Sequence, residues 1–96
     1  MKVYNIRGNA GNPVRNQFII IDDYGNKFFQ SYEAIIAKIS NSGKVSIDSN
    51  YWDYSTTTGK YRNIFLGEKK NETEKKLASG VYTLCDLNTP QQGLFG

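Results

Sequence analysis

Residues 17–32 read QFIIIDDYGNKFFQSY, and this stretch decides the fold. Its β-branched and aromatic run at 17–22 predicts one strand, and the Phe-rich segment 27–32 predicts the strand that returns beside it. Between them, residues 22–26 read DDYGN, a composition typical of a hairpin turn in which Gly25 takes a positive φ. We therefore predict an antiparallel β-hairpin over residues 17–32.

The segment downstream of this hairpin is ambiguous. The apolar residues within 33–40 suit either a short helix over 32–39 or a strand over 35–39. A turn reading NSG at 41–43 follows, and residues 44–48 then alternate polar and apolar side chains. We favour the strand, because it would form a second hairpin around that turn. The short helix is the alternative.

The two ends of the chain are predicted as strands with less regular flanks. Residues 2–6 alternate apolar and polar side chains and predict a first strand, which is followed by a Gly- and Asn-rich loop at 8–13. Residues 81–87 alternate in the same way and predict a closing strand. The tail at 89–96 is polar, contains Pro90 and is predicted to be flexible.

Two short helices are predicted between the sheet-forming segments. Ser55 is a good N-cap for the first helix, and Gly67 is a good C-terminal stop. For the second helix we predict Asn71 as the cap with Glu74 three residues later, in the manner of a capping box, and Gly80 as the end. Strands followed by helices indicate an α+β fold, with two short helices on one face of a small, mostly antiparallel sheet. Ninety-six residues suffice for a single domain, which we place at residues 1–88.

Composition excludes much of the usual catalytic chemistry. The chain has no His and only one Cys, so it can form neither a Cys/His zinc site nor a His-based triad. We therefore predict that the protein is not an enzyme and uses no cofactor or metal. The single Cys85 allows no internal disulfide and suits a cytoplasmic setting. The N-terminal sequence lacks a signal-like apolar region, and no apolar run is long enough to span a bilayer.

The most unusual local feature is the sequence YWDY at 51–54. Three aromatic residues among four suit a patch for a protein partner or a stacking platform for bases, whereas Trp52 alone is more typical of a core anchor. Neighbouring residues cannot all face inward, so we assign recognition to the tyrosines. The predicted binding surface is aromatic and basic and comprises Tyr51, Tyr54, Lys60, Tyr61 and Arg62. The loop at 9–15 is a secondary candidate.

Basic residues are frequent between positions 60 and 76, and the chain carries a formal charge of +3. This patch suits DNA, RNA or an acidic protein surface, and an ordinary solvated helix surface is the simpler interpretation. The segment STTTGK at 55–60 is no phosphate loop, because only its Gly-Lys pair matches that motif. It is typical of a helix cap.

The segment at 50–63, NYWDYSTTTGKYRN, resembles a family of small uncharacterised proteins found in phages and in phage-derived or mobile regions of bacterial genomes. The shared pattern is of the form YWDYSxTTxKYRNxFL. Shorter matches lie elsewhere in the chain, at 16–18, 29–32, 35–39, 65–68 and 86–88. The resemblance implies no activity, substrate or cofactor. It implies an accessory protein of a phage or mobile element, and such proteins often inhibit host defence.

Three functions remain open at this point. The first is a non-catalytic accessory protein that binds a host protein or protein–nucleic acid complex in the host cytoplasm, for example an anti-CRISPR or other anti-defence inhibitor. The second is a small DNA- or RNA-binding regulator that uses the same residues on phosphates and bases. The third, a small-molecule binder or enzyme, would need a deep pocket. Exposed strand edges and surplus aromatic residues also suggest a homodimer, and we predict no membrane partner.

Overall fold

A computed structural model describes residues 1–89 of the chain, and within them it contains six strands and two helices. In chain order the elements are β1 (Lys2–Arg7), β2 (Pro13–Ile21), β3 (Lys27–Ser31), β4 (Ala34–Ile39), β5 (Val45–Asp48), α1 (Thr56–Leu66), α2 (Lys70–Ser79) and β6 (Thr83–Cys85). The predicted α+β class is confirmed. The flexible tail predicted at 89–96 lies, from residue 90 onward, outside the described residues.

The strands form one sheet in the order β1-β2-β3-β4-β5-β6, so strand neighbours in the sheet are also neighbours in the sequence. The first five strands pair antiparallel, whereas β6 pairs parallel to β5. A parallel pair needs a crossover connection, and the two helices supply it. The predicted mostly antiparallel sheet is therefore confirmed.

The predicted β2–β3 hairpin is present. Its turn is held by Asp22, whose Oδ1 accepts hydrogen bonds from the backbone N–H groups of Tyr24 and Asn26, both at 2.9 Å. Gly25 has a φ of 84°, which is the left-handed region that glycine adopts without strain. In the strands, Ile19 pairs with Phe29, whose side chain is fully buried.

Strand β4 resolves the ambiguity at 33–40 in favour of the strand. Its pairing with β3 contains a bulge: Phe29 pairs with Ala37, but Gln30 pairs with Ile35, so Ile36 is an extra residue. A bulge turns two consecutive side chains toward the same side of a strand. Ile36 and Ala37 are accordingly both fully buried. This irregularity is the reason that the apolar pattern also suited a helix.

Helix α1 begins and ends as predicted. The Ser55 side chain accepts a hydrogen bond from the Thr58 backbone N–H at 3.1 Å, and Gly67 closes the helix in the left-handed conformation. Thr58 is fully buried and its hydroxyl lies 2.8 Å from the Ser31 hydroxyl, which links the first helical turn to β3.

Helix α2 starts earlier than predicted, and the predicted cap at Asn71 with Glu74 is wrong. The N-cap is Lys69, and the Glu72 carboxylate accepts a hydrogen bond from the Lys69 backbone N–H at 3.1 Å. Glu72 thus takes the position three residues after the cap that we assigned to Glu74. The predicted end at Gly80 is confirmed, with a φ of 83°.

The closing strand is shorter than the predicted 81–87. The backbone N–H of Tyr82 still donates to the carbonyl of Lys76 in α2, so the chain leaves the helix only at that residue. At the other end, Asp86 accepts hydrogen bonds from the backbone of Asn88 and Thr89 in a turn. Between these two local structures only Thr83–Cys85 remains free to pair with β5.

Two clusters of buried side chains form the core, and Trp52 and Phe65 pack against both. In the first cluster, Phe29 stacks on Phe65 of α1, with ring centroids 5.9 Å apart. The second cluster, which contains Ile47, is contacted by Leu77 of α2 as well. Phe and Trp side chains dominate core energetics through their large buried area, so these contacts attach both helices to the sheet.

A polar cluster joins α2 to the start of β6. The nearly buried Glu68 carboxylate accepts hydrogen bonds from Lys76 Nζ at 2.7 Å, the Tyr82 hydroxyl at 2.7 Å and the Thr73 hydroxyl at 2.6 Å. Burial raises the pKa of Glu68, but these three hydrogen bonds outweigh burial and hold the pKa below its ordinary value of 4.5.

We expect this cluster to make stability pH-dependent in the acid range. Because the folded-state pKa of Glu68 is lowered, its contribution is complete above the ordinary value and is lost as pH falls through the folded-state pKa. The variant Glu68→Gln should therefore lose less free energy of unfolding than the wild type between about pH 6 and about pH 3. Urea unfolding at both pH values measures this difference. Equal losses in the two proteins would contradict it.

Neither helix within residues 1–89 is long and apolar enough to cross a membrane. The same residues contain no cluster of three or more potential metal-binding side chains among His, Cys, Asp and Glu.

Candidate functional site

A surface groove of about 570 Å³ lies between Asn16 of β2, the turn from β3 to β4 and the loop between β5 and α1. Aromatic and amide side chains predominate among the residues that line it. They are Asn16, Tyr32, Glu33, Ala34, Tyr51, Tyr54 and Asn88. We call this surface the tyrosine groove.

Tyr51 and Tyr54 form one wall of the tyrosine groove. Their rings meet edge to face, with centroids 5.6 Å apart and an interplanar angle of 77°. The side chains remain 42% and 46% exposed, respectively. The Tyr54 hydroxyl donates to the carbonyl of Ser31 at 3.3 Å, which fixes that ring against the end of β3. Two large aromatic side chains are therefore both accessible and restrained.

Asp48, the last residue of β5, holds the backbone of this wall. Its carboxylate is fully buried and accepts three backbone N–H groups: Oδ2 from Asn50 at 3.0 Å and Tyr51 at 2.7 Å, and Oδ1 from Leu87 at 2.8 Å. Hydrogen bonds to an ionised acceptor are stronger than those between neutral groups, so the buried carboxylate stabilises both segments. Asp48 thereby fixes the backbone position from which the Tyr51 side chain extends.

Two further lining residues are non-glycine residues with positive φ, Asn16 at 64° and Tyr32 at 57°. They are joined directly, because the Tyr32 backbone N–H donates to the Asn16 carbonyl at 2.7 Å. Asn tolerates the left-handed region, but for Tyr this conformation costs about 1 kcal/mol or more. Such strain persists only where the surroundings impose it, and it concentrates at functional sites.

Asn88 closes the end of the groove beside β4. Its side-chain amide donates to the carbonyl of Ile35 at 2.9 Å, and its Oδ1 accepts from the Ile35 backbone N–H at 2.7 Å. One side chain therefore pairs with Ile35 as a neighbouring strand would. The backbone of β4 along the groove is occupied by this contact.

Several polar groups of the groove have no partner within residues 1–89. They are the side-chain amide of Asn16, the hydroxyls of Tyr32 and Tyr51, and the carboxylate of Glu33. Among the described residues that line the groove, Glu33 is also the only one with an ionisable acidic or basic side chain of the Asp, Glu, Lys or Arg type. Although the chain as a whole is basic, the tyrosine groove is thus aromatic, rich in donors and weakly acidic.

The basic half of the predicted surface lies in a different place, a cleft at the start of α1. The Arg62 side chain is only 1% exposed, and its guanidinium lies 4.9 Å from the centre of the Trp52 ring. Arg62 donates to the Trp52 carbonyl at 2.6 Å, to Asp53 Oδ1 at 3.1 Å and to Asn63 Oδ1 at 3.0 Å. These contacts give Arg62 a structural role and leave almost none of it for a partner.

Asp53 neutralises part of the positive charge of this cleft. Its Oδ2 lies 2.6 Å from Lys70 Nζ, while its Oδ1 accepts from Arg62. Burial raises the pKa of Asp53, but the hydrogen bonds from Lys70 and Arg62 outweigh burial and lower it below the ordinary value. Lys76 is likewise paired with Glu68. Three of the basic side chains in the 60–76 patch are therefore engaged within the protein.

The five residues predicted as a binding surface thus divide into separate locations. Tyr51 and Tyr54 are together in the tyrosine groove. Lys60 is exposed on α1, with its Nζ 5.3 Å from the Tyr61 ring centre, whereas Tyr61 is a buried core residue. Tyr61 and Arg62 face inward because α1 packs that side against the sheet and Trp52.

The secondary candidate, the loop at 9–15, is shorter than we predicted, because β2 already begins at Pro13. The remaining turn closes on itself: Gly8 N–H donates to the Asn12 carbonyl, and Arg7 donates to the Gly11 carbonyl at 2.7 Å. None of these residues lines the tyrosine groove.

Sequence reasoning missed the residues that surround the two tyrosines, namely Asn16, Tyr32, Glu33, Asp48 and Asn88. Asp48 carried a usable signal, since Asp at a strand end followed by Ser and Asn is typical of a side chain that caps a turn. The positive φ of Asn16 and Tyr32 and the long-range pairing of Asn88 with β4 had no local signal.

Fold and site together define a small α+β protein with a preformed aromatic groove on its surface. A family model matches residues 1–80, and the chain therefore belongs to that family, described as a family of unknown function (DUF8033). The matched region contains both helices and, except for Asn88, every residue that lines the tyrosine groove. No curated protein and no solved structure matches the chain.

Proposed function

We propose that this protein is a non-catalytic binding protein that docks a segment of a partner protein in the tyrosine groove. The observation that carries the proposal is the exposed, edge-to-face pair of Tyr51 and Tyr54 in restrained positions. Tyrosines are enriched among residues that dominate binding energy, since a rigid ring provides a large contact area at a small entropic cost.

The proposal also includes where the protein acts. The resemblance of the 50–63 segment supports an accessory protein of a phage or mobile element, acting in the host cytoplasm. Its partner would then be a host protein or protein–nucleic acid complex, as for an anti-CRISPR or other anti-defence inhibitor.

Charge supports a protein partner over a nucleic acid. Phosphate contacts require free cations, and most nucleic-acid affinity comes from them. Within residues 1–89 the lining of the tyrosine groove includes Glu33 and no Lys or Arg, while Arg62, Lys70 and Lys76 are paired with carboxylates. Direct nucleic-acid binding stays the alternative, and its candidate location is the cleft that Lys60 and Lys70 line.

We also propose that both helices lie on the same face of the sheet. Phe65, Leu66 and Leu77 all pack against the cluster of Ala37 and Ile47, which supports placing both helices on one face of the sheet. The opposite face would then carry the cross-strand row Val3, Ile20 and Phe28 without a helix to cover it. That face supports the predicted homodimer, in which a second copy would cover it.

We expect the double variant Tyr51→Ala/Tyr54→Ala to lose its partner while remaining folded. Immobilised full-length protein captures partners from a host-cell lysate, and mass spectrometry identifies them. Binding of the purified partner should then weaken at least about tenfold in the variant, because removing one aromatic anchor alone typically costs about 2 kcal/mol.

The matched control is Tyr24→Ala. Tyr24 is 80% exposed on the β2–β3 turn and does not line the tyrosine groove, so capture should persist in this variant. Circular dichroism verifies that each variant is folded, and light scattering reports self-association. Undiminished capture by the folded double variant would refute the groove as the docking site.

A further inference from the structure

Proteins recognise extended segments in several ways, and the shape and chemistry of the tyrosine groove favour one of them. We propose that its ligand is a proline-rich segment in the polyproline II conformation that carries a Lys or Arg beside the prolines. This inference rests on the proposed function, since it names the partner chemistry of the same groove.

The aromatic wall suits proline rings. Polyproline II has three residues per turn and rises about 3.1 Å per residue, so it presents rigid, apolar proline rings at regular intervals along one side. Grooves lined by aromatic side chains bind such segments at little entropic cost. The 77° angle between Tyr51 and Tyr54 produces a corner bounded by one ring face and one ring edge. The Tyr54–Ser31 hydrogen bond holds one side of this corner against the end of β3.

The free polar groups suit a polyproline II backbone. Its carbonyl groups have no internal hydrogen bonds and need external donors. The Asn16 amide and the hydroxyls of Tyr32 and Tyr51 have no partner within residues 1–89. All three can donate to ligand carbonyls.

Strand addition is the main competing mode, and backbone groups that it would use are already bonded within the protein. A peptide that adds to a sheet needs unpaired N–H and C=O groups along the groove. The Tyr32 N–H is already bonded to the Asn16 carbonyl, and both backbone groups of Ile35 are bonded to Asn88. These three bonds leave fewer backbone groups for strand addition and favour a ligand held by side chains, as polyproline II segments are in aromatic grooves.

The negative charge of the groove favours a ligand that carries a basic residue. Glu33 is the only charged side chain that lines the groove, and it has no ion-pair partner within residues 1–89. A cation in the ligand would gain an attractive contact, whereas a carboxylate or phosphate at the same position would be repelled. Proline-rich segments flanked by Lys or Arg meet both conditions.

The test uses the full-length protein and synthetic decapeptides observed by calorimetry and by NMR of the labelled protein. The probe contains prolines at the spacing of one polyproline II turn and one terminal Arg. One control peptide replaces each proline by alanine, and another replaces the Arg by Glu. We expect the probe to shift the resonances of Asn16, Tyr32 and Tyr51, and to bind at least about tenfold more tightly than the alanine peptide.

Variants of the protein test the contributions of the prolines and of the basic residue separately. Tyr51→Ala/Tyr54→Ala should weaken the probe at least about tenfold. Glu33→Gln should abolish the preference for Arg over Glu but keep the preference for proline over alanine, and higher salt should have a similar effect. Tyr24→Ala should bind like the wild type.

Three results would overturn the inference: no binding of the probe at millimolar concentration, equal binding of the alanine peptide, or tighter groove binding by an oligonucleotide or oligosaccharide. These outcomes remain distinct from failure of the proposed function. If lysate capture depends on the tyrosines but the probe does not bind, only the proline-rich ligand is refuted. If capture is independent of the tyrosines, the groove itself is refuted.

Discussion

Replacing Asp48 by Ala is expected to lower the free energy of unfolding by about 3 kcal/mol, because three backbone N–H groups lose their buried acceptor and each hydrogen bond contributes about 1 kcal/mol. The N–H groups belong to Asn50, Tyr51 and Leu87, and the carboxylate that binds them is fully buried. Urea unfolding followed by the fluorescence of the single Trp measures the loss.

The control for this variant is Asp86→Ala. Asp86 also accepts hydrogen bonds from two backbone N–H groups, those of Asn88 and Thr89, but it is exposed, so water can replace its carboxylate. We expect a much smaller loss there. Asp48→Asn should fall between wild type and Asp48→Ala, because one carboxylate oxygen becomes an NH₂ group facing backbone donors. Equal losses for Asp48→Ala and Asp86→Ala would show that burial of Asp48 is unimportant.

Replacing Arg62 by Ala is expected to cost about 3 kcal/mol, because it removes packing over the Trp52 ring and leaves the Trp52 carbonyl without its donor. The guanidinium serves three acceptors at once, on Trp52, Asp53 and Asn63. Arg62→Lys should recover only part of this stability, since an ammonium group cannot reproduce the planar fork of donors. Urea unfolding of the same set measures each variant.

Lys60→Ala is the matched control for Arg62, since Lys60 lies on the same helix but is exposed. Its free energy of unfolding should change by no more than about 0.5 kcal/mol. A stable Arg62→Ala variant that loses its partner would instead support the sequence-based assignment of Arg62 to the binding surface.

Much of the sheet could be predicted because its signals are local. The DDYGN turn and the apolar runs on either side specify the β2–β3 hairpin, and Ser55 and Gly67 specify both ends of α1. The start of α2 was predicted wrongly, because two neighbouring pairs have the spacing of a capping box and the bond forms from Lys69 to Glu72. The favoured strand at 35–39 is present in β4, but the bulge at Ile36 breaks the period of two on which strand prediction depends, which is why a helix remained an alternative.

The candidate site was predicted in part. The sequence YWDY at 51–54 places three aromatic residues among four and is a clear local signal. Tyr51 and Tyr54 do lie together on the surface. Tyr61 and Arg62 were grouped with them because they are near in sequence. The orientation of α1, which no local pattern reports, turns both of these side chains inward.

The sequence by itself determined the α+β class, the hairpins and their turns, and the absence of histidine chemistry, because each depends on residue type or on neighbours a few positions away. Tertiary structure alone decided which aromatic residues are accessible and what surrounds them. Asn16, Tyr32 and Asn88 join Tyr51 and Tyr54 only because the sheet brings together segments as far as 72 residues apart, from position 16 to position 88. The strained backbone at Asn16 and Tyr32 follows from the same cause, since a left-handed conformation outside glycine is imposed by surroundings rather than by local preference.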